Sequence, residues 1–262
     1  MRIAIIGAGN MGGALIRGWA KKGLAKDLTV VAHRQQTLDK FRQAFDELHT
    51  TLDGAAAVED ADVVVLAVKP WLVESVVGTI RPSLQASRQL IVSIAANVGV
   101  EKLNAWLGPG FRCCYVMPNV AAEFHQAMSF VVPGPNVAPH EVATILDLFA
   151  LVGRVQLCDE KTLAAGNMLA GCGIAYVMRF IQAMAEGGVE MGLYPENARQ
   201  IAMQAMQGAV TLLSETGIHP AVAIDKVTTP GGLTIKGLNE MSHAGFDSAV
   251  IRALKAGLKV DS

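Results

Sequence analysis

A glycine-rich turn close to the first residue is the clearest candidate for chemistry in the sequence. Strand-forming residues 2–6 lead into Gly7-Ala8-Gly9-Asn10-Met11-Gly12, and a helix-compatible stretch, 14–22, follows. In such a turn Gly7 permits the tight bend, Gly9 lets the backbone approach a pyrophosphate, and Gly12 allows close helix–strand packing. The helix N-terminus then faces the anion. The expected dinucleotide contacts are Ile6, Gly7, Gly9, Asn10, Met11 and Gly12.

The end of the second predicted strand indicates which dinucleotide binds. NAD-selective folds place an acidic residue about 20 positions after the glycines, but this chain reads Val31-Ala32-His33-Arg34-Gln35. The planar guanidinium of Arg34 matches the oxygens of a 2′-phosphate, which a carboxylate would repel. Arg34, with His33 beside it, therefore predicts NADPH over NADH. The alternative for Arg34 is a solvated surface charge.

Two further strand ends carry residues that we assign to the cofactor. Ligands of open parallel sheets bind beyond the carboxyl ends of the strands, so the ribose and nicotinamide edge of the dinucleotide is expected there. The residues concerned are Ala67, Val68, Lys69 and Pro70 after one strand, and Ile94, Ala95 and Ala96 after the next. Lys69 on its own also fits a surface lysine.

The segment Thr229-Pro230-Gly231-Gly232-Leu233-Thr234 places hydroxyl groups and paired glycines directly before a helix. Free amides of Gly231, Gly232 and Leu233 at a helix N-terminus favour a negative group by about 0.3 to 1 kcal/mol. A substrate carboxylate would suit this site. The alternative is an ordinary helix cap in which Thr229 or Thr234 bonds the backbone, and the segment alone does not decide between the two.

The elements that position these residues form an α/β domain. Short runs rich in β-branched residues alternate with helical stretches, which predicts a Rossmann-type, doubly wound parallel sheet. These runs span residues 2–6, 28–32, 62–68, 90–95 and 112–116. Two more, 127–132 and 155–157, flank a helix at 139–151 and are expected to complete the sheet.

After about residue 160 the strand signals stop and helices follow one another. We therefore predict a dinucleotide-binding domain over 1–160 and an all-helical dimerisation and substrate domain over 161–262. One helix carries a single polar stripe on an otherwise apolar surface, so it needs cover on several sides, which a second subunit would supply. The stripe consists of Arg179, Gln182, Glu186 and Glu190.

Charge and composition limit the partners. The 262 residues include 22 basic and 23 acidic side chains, so the basic surface of a nucleic-acid binder is not expected. Hydrophobic residues make up 52% of the chain and charged residues 17%, which predicts more buried surface than one monomer provides. We expect a homo-oligomer, either a dimer or a multiple of dimers.

Cysteines and apolar tracts predict a cytoplasmic protein without a metal site. The cysteines form no C-x-x-C pair and have no histidine cluster beside them, as in a reducing compartment. Residues 2–6 form a strand rather than a signal peptide, so no secretory leader is expected. The tract 163–193 is interrupted by charged residues and glycines, which makes a membrane span a poor fit. The cysteines are Cys113, Cys114, Cys158 and Cys172.

Catalytic groups of the hydrolytic kinds are not apparent in the sequence. No Ser-His-Asp order, metal cluster or acid pair with a recognisable spacing is present. Hydride transfer needs none of these, because the cofactor carries the chemistry and the protein supplies orientation and electrostatics.

With these segments in order, the chain resembles the pyrroline-5-carboxylate reductase family from end to end. Five stretches carry the resemblance, and their order and spacing are more specific than any one of them. They are Ile6-Gly7-Ala8-Gly9-Asn10-Met11-Gly12, Ala67-Val68-Lys69-Pro70, Ser93-Ile94-Ala95-Ala96, Val116-Met117-Pro118-Asn119 and Val227-Thr228-Thr229-Pro230-Gly231-Gly232-Leu233-Thr234-Ile235.

The resemblance implies NAD(P)H reduction of the ring imine of Δ1-pyrroline-5-carboxylate to L-proline, the last step of proline biosynthesis. It places the substrate at Asn119 and at the loop 229–234, with the Thr234 hydroxyl facing the imine nitrogen. A threonine hydroxyl is too weak an acid to protonate an imine outright, so Thr234 is assigned to hydrogen bonding and orientation. The resemblance also implies an active site built across a dimer.

The residues around the expected substrate depart from the family pattern. Tyr115 stands where an Arg usually precedes Val-Met-Pro-Asn, and Asn97 replaces a Gly. Two explanations stay open: an ordinary but diverged reductase, or a paralogue whose pocket takes another cyclic imine acid or no substrate. The remaining departures are Val120, Cys172, Ile174 and Leu233.

Two other classes of protein share parts of this pattern. β-Hydroxyacid dehydrogenases also open with G-x-G-x-M-G and end in a helical domain. The nearest candidate for their catalytic lysine is Lys161, before Ala165-Gly166-Asn167. That scheme gives the Thr-Pro-Gly-Gly loop no role. A non-catalytic NADPH-binding regulatory protein on the same scaffold would bind the cofactor without imine turnover.

Overall fold

In the computed structural model, which describes residues 1–258, the chain divides into two compact units, Met1–Gly171 and Cys172–Ser262. The predicted limits of the dinucleotide-binding domain, 1–160, and of the dimerisation and substrate domain, 161–262, stay a prediction. The second of them includes residues 259–262, which lie outside the described part.

The first unit is built on one eight-stranded sheet. Its strands are β1 (Ile3–Ile6), β2 (Leu28–Val31), β3 (His49–Thr51), β4 (Val63–Leu66), β5 (Leu90–Ser93), β6 (Arg112–Met117), β7 (Ala127–Pro133) and β8 (Gly153–Leu157). Their order is β3-β2-β1-β4-β5-β6-β7-β8, and every pair is parallel except β6 with β7. The predicted α/β class and Rossmann-type sheet are confirmed.

The structure adds two features that the sequence pattern does not predict. The edge strand β3 is exposed or half-buried along its length, so it lacks the apolar run that marks a buried strand. The antiparallel pairing of β7 with β6 follows from the connection 118–126, which is too short for the crossover that parallel strands need.

Seven helices of the first unit cover the two faces of this sheet. They are α1 (Asn10–Trp19), α2 (Gln35–Ala44), α3 (Gly54–Glu59), α4 (Val73–Ile80), α5 (Val100–Leu107), α6 (Pro139–Ala150) and α7 (Glu160–Asn167). Buried side chains of α1, α2 and α6 form the core on one face, and those of α3, α4, α5 and α7 form the core on the other. The helix after β1 and the helix after β4 therefore lie on opposite faces, which makes the adjacent ends of β1 and β4 a topological switch point.

Helix α1 is held rigidly by the core beneath it. Trp19, at its end, is fully buried, and its indole N–H donates to the Leu148 carbonyl oxygen at 2.9 Å. The Trp19 and Phe149 rings meet edge to face with centroids 5.4 Å apart, in the geometry that aromatic pairs prefer. The helix that is expected to face the pyrophosphate is thus fixed at the opposite end.

The described part of the second unit, residues 172–258, contains five α-helices: α8 (Gly173–Glu190), α9 (Pro195–Thr216), α10 (Pro220–Val227), α11 (Leu233–His243) and α12 (Phe246–Ala256). The Phe180 and Phe246 rings lie 5.6 Å apart. Among residues 172–258 only Gly188, Ala198 and Ala202 are buried. This unit therefore leaves most of its apolar side chains uncovered within one chain.

One helical stretch, Glu160–Glu190, is long and apolar enough to cross a membrane, with a mean hydropathy of 1.4 in a window of which nothing is buried. This criterion rests on length and composition alone, and a helix that is covered by a partner subunit meets it as well.

Candidate active site

The glycine turn after β1 has the shape of a cradle for an anion. Gly7 has φ 110°, and a Cβ on it would lie 2.7 Å from the Ala67 backbone. A Cβ on Gly12 would lie 2.0 Å from the Gly7 carbonyl oxygen. In contrast, a Cβ on Gly9 would meet no atom of the described chain within 4 Å. Gly7 and Gly12 are therefore required by packing, whereas Gly9 keeps open space in front of the helix.

The first amides of α1 are free to bind a ligand. Gly9 is the N-cap of α1, and within residues 1–258 neither a side-chain cap nor an acidic residue in the first turn serves this helix end. Unpaired amides and the positive end of the helix dipole form a phosphate site. A pyrophosphate fits the open space at Gly9.

The other predicted cofactor loops meet at the same edge of the sheet. The Gly7 amide donates to the Val31 oxygen at 2.9 Å, and the Ala67 amide donates to the Ile6 oxygen at 2.8 Å. The Ile94 amide continues the series by donating to the Leu66 oxygen at 3.1 Å. The ends of β2, β1, β4 and β5 thus form one continuous rim, in that order.

The two predicted cations lie on this rim. His33 and Arg34 are exposed just beyond β2, and Arg34 is the N-cap residue of α2 with an extended backbone. Lys69 is exposed just beyond β4, at the start of the 3-10 turn Pro70–Leu72. Because β2 and β4 flank β1, these residues lie on either side of the glycine turn.

The turn after β5 is fixed by a residue pair in which both members depart from the family pattern. Asn97 has φ 61°, a left-handed conformation that Asn tolerates better than most residues. Its amide donates to the hydroxyl oxygen of buried Tyr115 at 3.2 Å. Burial raises the pKa of Tyr115, against the opposing effect of the Asn97 amide, and the Glu160 carboxylate adds to the rise. The phenol therefore stays neutral and holds the turn that contains Ala95 and Ala96.

The Asn119 side chain is engaged within the first unit. Its Oδ1 accepts from the Ala121 amide at 3.2 Å, and its Nδ2 donates to the Ala170 oxygen at 3.0 Å. Asn119 is 9% exposed. A direct contact between Asn119 and a substrate stays a prediction, and only one amide hydrogen and one oxygen lone pair are left for it.

The predicted substrate loop lies in the second unit, at the start of α11. Gly231 has φ 71°, and the Gly232 amide donates to the Thr229 oxygen at 2.9 Å. Gly232 is the N-cap, and in the described part of the chain no side chain caps this helix. The ordinary cap by Thr229 or Thr234, which the sequence left open, is therefore not formed. Thr234 and Leu233 are exposed in the single chain, Leu233 at 87%.

The buried thiols of Cys113 and Cys114 are poor nucleophiles. Burial raises the pKa of Cys113 to about 11 and that of Cys114 to about 12, so neither forms a thiolate nucleophile at neutral pH. Among residues 1–258, no group of three or more His, Cys, Asp or Glu side chains is placed to hold a metal ion.

The fold and this rim define a class of protein, the dinucleotide-dependent oxidoreductases with a Rossmann-type domain. Residues 2–97 match the family of F420-dependent NADP oxidoreductases, and residues 160–262 match the pyrroline-5-carboxylate reductase dimerisation region. The chain is 36% identical over 257 residues to the pyrroline-5-carboxylate reductase of Methanosarcina acetivorans, covering 96% of this chain and 95% of that protein. It is 33% identical to the enzyme of Arabidopsis thaliana over 98% and 93% of the two chains. The chain belongs to the pyrroline-5-carboxylate reductase family.

Solved structures agree with this membership. The pyrroline-5-carboxylate reductase of Coxiella burnetii superposes with a TM-score of 0.89 at 27% identity, over 98% of this chain and 96% of that one. The Plasmodium falciparum enzyme with NADP bound gives a TM-score of 0.88 at 25% identity, over 99% and 96%. The resemblance stated from sequence motifs is confirmed.

The β-hydroxyacid alternative loses its support. The chain belongs to another family, and Lys161 is an exposed residue in the first turn of α7. Gly166 of the neighbouring Ala165-Gly166-Asn167 segment is explained by packing, since a Cβ there would lie 2.4 Å from the Phe130 ring.

Proposed function

We propose that this chain reduces the ring imine of Δ1-pyrroline-5-carboxylate to L-proline in proline biosynthesis. Full-length similarity to pyrroline-5-carboxylate reductases supports this reaction. The observation that carries the proposal is that the chain has both an open glycine cradle at the start of α1 and an uncapped Gly-Gly start of α11. One site suits a pyrophosphate and the other suits a carboxylate.

NADPH is the hydride donor, and NADH is less favoured. The segment 31–35 contains no carboxylate, and exposed Arg34 matches a 2′-phosphate. The similar Plasmodium falciparum structure contains NADP. Amides of the 7–12 turn would hold the pyrophosphate, and the loops after β4 and β5 would hold the ribose and nicotinamide edge.

When bound, the cofactor supplies the hydride that the imine carbon receives. The residues of this chain bind and orient the substrate. The free amides of Gly231 and Leu233 would bind the carboxylate, whereas the Gly232 amide, also predicted as a donor, already donates to the Thr229 oxygen. The Thr234 hydroxyl would form a hydrogen bond at the imine nitrogen. Thr234 is too weakly acidic to supply the proton, so the substrate enters as the iminium or takes its proton from water.

Thr234→Ala is expected to lower kcat/KM for Δ1-pyrroline-5-carboxylate by about 10- to 100-fold, the range for losing a hydrogen bond to a charged group. The measurement is NADPH oxidation at 340 nm. Thr234→Ser restores the hydroxyl and should recover most of the activity. Thr144→Ala removes the hydroxyl of a half-buried threonine on α6 that donates to the His140 oxygen, and it should leave turnover unchanged.

The same assay decides between the possible substrates. Turnover of the five-membered imine by the unmodified chain, impaired by Thr234→Ala, supports the proposed reaction. Activity confined to the six-membered analogue would keep the chemistry and reassign the substrate. NADPH binding without any imine turnover would overturn the enzyme assignment in favour of a regulatory protein.

The chain forms homo-oligomers through its helical part, and a dimer or a multiple of dimers is the assembly we propose. Residues 160–262 match the dimerisation region of the family. The second unit also exposes an apolar groove on α8 and α9, lined by Met178, Ile181, Ala185, Val189 and Met203. A second subunit that covers this groove would supply the core that the single chain lacks.

Met178→Glu tests this surface, because Met178 is 57% exposed in the single chain and would be buried in a dimer. A carboxylate buried without a partner costs about 3 kcal/mol or more, so the variant should dissociate and melt at a lower temperature. Light scattering after gel filtration gives the mass. Arg42→Glu, on the exposed surface of α2, is the charge-changing control. An unchanged mass and melting temperature for Met178→Glu would contradict the proposed interface.

Cytoplasmic localisation, and the absence of nucleic-acid and membrane partners, also belong to this proposal. A net charge of −1 does not favour a phosphate backbone. The apolar stretch Glu160–Glu190 coincides with the start of the dimerisation match, so we assign its exposed side chains to subunit contact rather than to a bilayer.

A further inference from the structure

An exposed tryptophan lies on the cofactor rim. Trp71 lies five residues after the end of β4, in the 3-10 turn Pro70–Leu72, and is 75% exposed. The next residue, Leu72, is also exposed. Trp19, in contrast, is fully buried. Tryptophan side chains are highly buried on average, so a solvent-exposed indole at a ligand-binding rim indicates a surface that a ligand covers.

The fold places Trp71 beside the crevice at the switch point. Helix α4 begins at Val73, directly after Trp71 and Leu72, and packs on the opposite face from α1. The loop after β1 therefore leads to one face of the sheet and the loop after β4 leads to the other, which leaves an opening between them. Trp71 lies on the β4 side of this opening, and the open space at Gly9 lies on the β1 side. A ligand that crosses the rim at this point passes Trp71.

The 2′-phosphate that Arg34 is proposed to bind indicates which part of the cofactor would lie near Trp71. Strands β2 and β4 are the two neighbours of β1, so their carboxyl ends are about 10 Å apart, two strand spacings. Arg34 lies three residues beyond the end of β2, and Trp71 lies five residues beyond the end of β4. An adenosine with a 2′-phosphate bridges such a separation, with the phosphate at the guanidinium and the flat base near the indole. Every base presents a π-face on which an aromatic side chain can stack.

We propose that the Trp71 indole is the stacking surface for the adenine ring of NADPH. This inference rests on the use of NADPH in the proposed function, but it does not depend on whether the chain reduces an imine. It makes Trp71 a determinant of affinity for the adenosine half, while the 7–12 turn binds the pyrophosphate. The sequence motif Ala67-Val68-Lys69-Pro70 ends one residue too early to include it.

The test uses 2′,5′-ADP, which contains the adenosine and its phosphates but no nicotinamide. Calorimetry on the full chain should give a Kd for Trp71→Ala that is about tenfold weaker than for the unmodified chain, as expected for losing one base–aromatic stack. Trp71→Phe keeps an aromatic face and should stay within about threefold. Phe124→Ala removes another exposed aromatic ring of the first unit and should bind as the unmodified chain does.

Fluorescence provides an independent readout, because the chain has three tryptophans and Trp19 is shielded in the core. Saturating 2′,5′-ADP should quench the emission and protect it from acrylamide in the unmodified chain. Both effects should be lost in Trp71→Phe, although that variant still binds.

An unchanged Kd for 2′,5′-ADP in Trp71→Ala, or unaltered acrylamide quenching in the ligand-saturated chain, would overturn the stacking proposal. Neither result would bear on imine reduction, which the NADPH oxidation assay measures separately. Conversely, a chain that binds 2′,5′-ADP through Trp71 but reduces no imine would refute the proposed reaction and leave this inference standing.

Discussion

Gly12→Ala is expected to weaken NADPH binding severely and to destabilise the first unit. The added methyl would lie 2.0 Å from the Gly7 carbonyl oxygen and 3.0 Å from the Ala67 Cβ. The first of these is a backbone atom of the turn, so relief requires α1 or the turn to move. Overpacking of this kind costs about 1 to 3 kcal/mol and occasionally more. The Kd for NADPH should rise by about 100-fold or more, since a displacement of α1 withdraws its amides from the pyrophosphate.

Two matched glycine variants separate folding from binding. Gly9→Ala adds its methyl where no described atom lies within 4 Å, so the melting temperature should hold while NADPH affinity falls, because the methyl occupies the approach to the pyrophosphate. Gly78→Ala, exposed within α4 and equally unobstructed, should preserve binding and raise stability by up to about 1 kcal/mol.

Calorimetry with NADPH and thermal unfolding of all three variants give the comparison. An unchanged NADPH affinity and melting temperature in Gly12→Ala would show that close helix–strand packing does not require a glycine at position 12. If Gly9→Ala bound NADPH normally, the open space in front of α1 would not be the pyrophosphate site.

The sequence predicted the sheet well where strands are buried and poorly where they are not. Strands β1, β4 and β5 are buried along their whole length, so continuous apolar runs mark them. The edge strand β3 has no such run, so the sequence pattern does not predict it. The direction of β7 depends on the length of a connection rather than on residue type, so a pattern of apolar residues could not give it.

The cofactor rim was predictable because each of its loops directly follows a strand. A parallel sheet brings the carboxyl ends of its strands to one edge, so sequence position translates into spatial position. The contact between Asn97 and Tyr115 was not predictable in the same way. Both were noted as separate departures from the family pattern, but their hydrogen bond depends on the left-handed φ of Asn97 and on the β5–β6 register.

The exposed apolar surface of the second unit could be predicted only in part from the sequence. Composition and the polar stripe on α8 predicted that a partner subunit covers the helices. The number of buried residues, three among 172–258, is a tertiary property that helical periodicity does not give. The same holds for Trp71, whose exposure distinguishes it from Trp19 although both are tryptophans of the first unit.

Arg34→Asp is expected to reverse the cofactor preference. A bidentate pair between a guanidinium and a phosphate contributes two charge-assisted hydrogen bonds, each worth about 1.5 to 3 kcal/mol. Replacing it with a carboxylate removes both bonds and adds repulsion, so kcat/KM for NADPH should fall by about 100-fold or more. NADH has a 2′-hydroxyl instead, which can donate a hydrogen bond to a carboxylate at this turn. Its kcat/KM should therefore hold or rise.

The comparison needs a control for net charge, because any cation-to-anion change weakens the attraction of a polyanionic cofactor. Arg42→Asp makes the same change in the last turn of α2, whereas Arg34 precedes the first turn. Long-range attraction is screened within about 10 Å at 0.1 M salt, so Arg42→Asp should lower kcat/KM for NADPH only slightly and less still as salt is added. The loss in Arg34→Asp should persist at high salt, since a direct contact is screened much less. Equal losses in the two variants, or an unchanged ratio of NADPH to NADH efficiency in Arg34→Asp, would mean that Arg34 is a surface charge and that another group reads the 2′-phosphate.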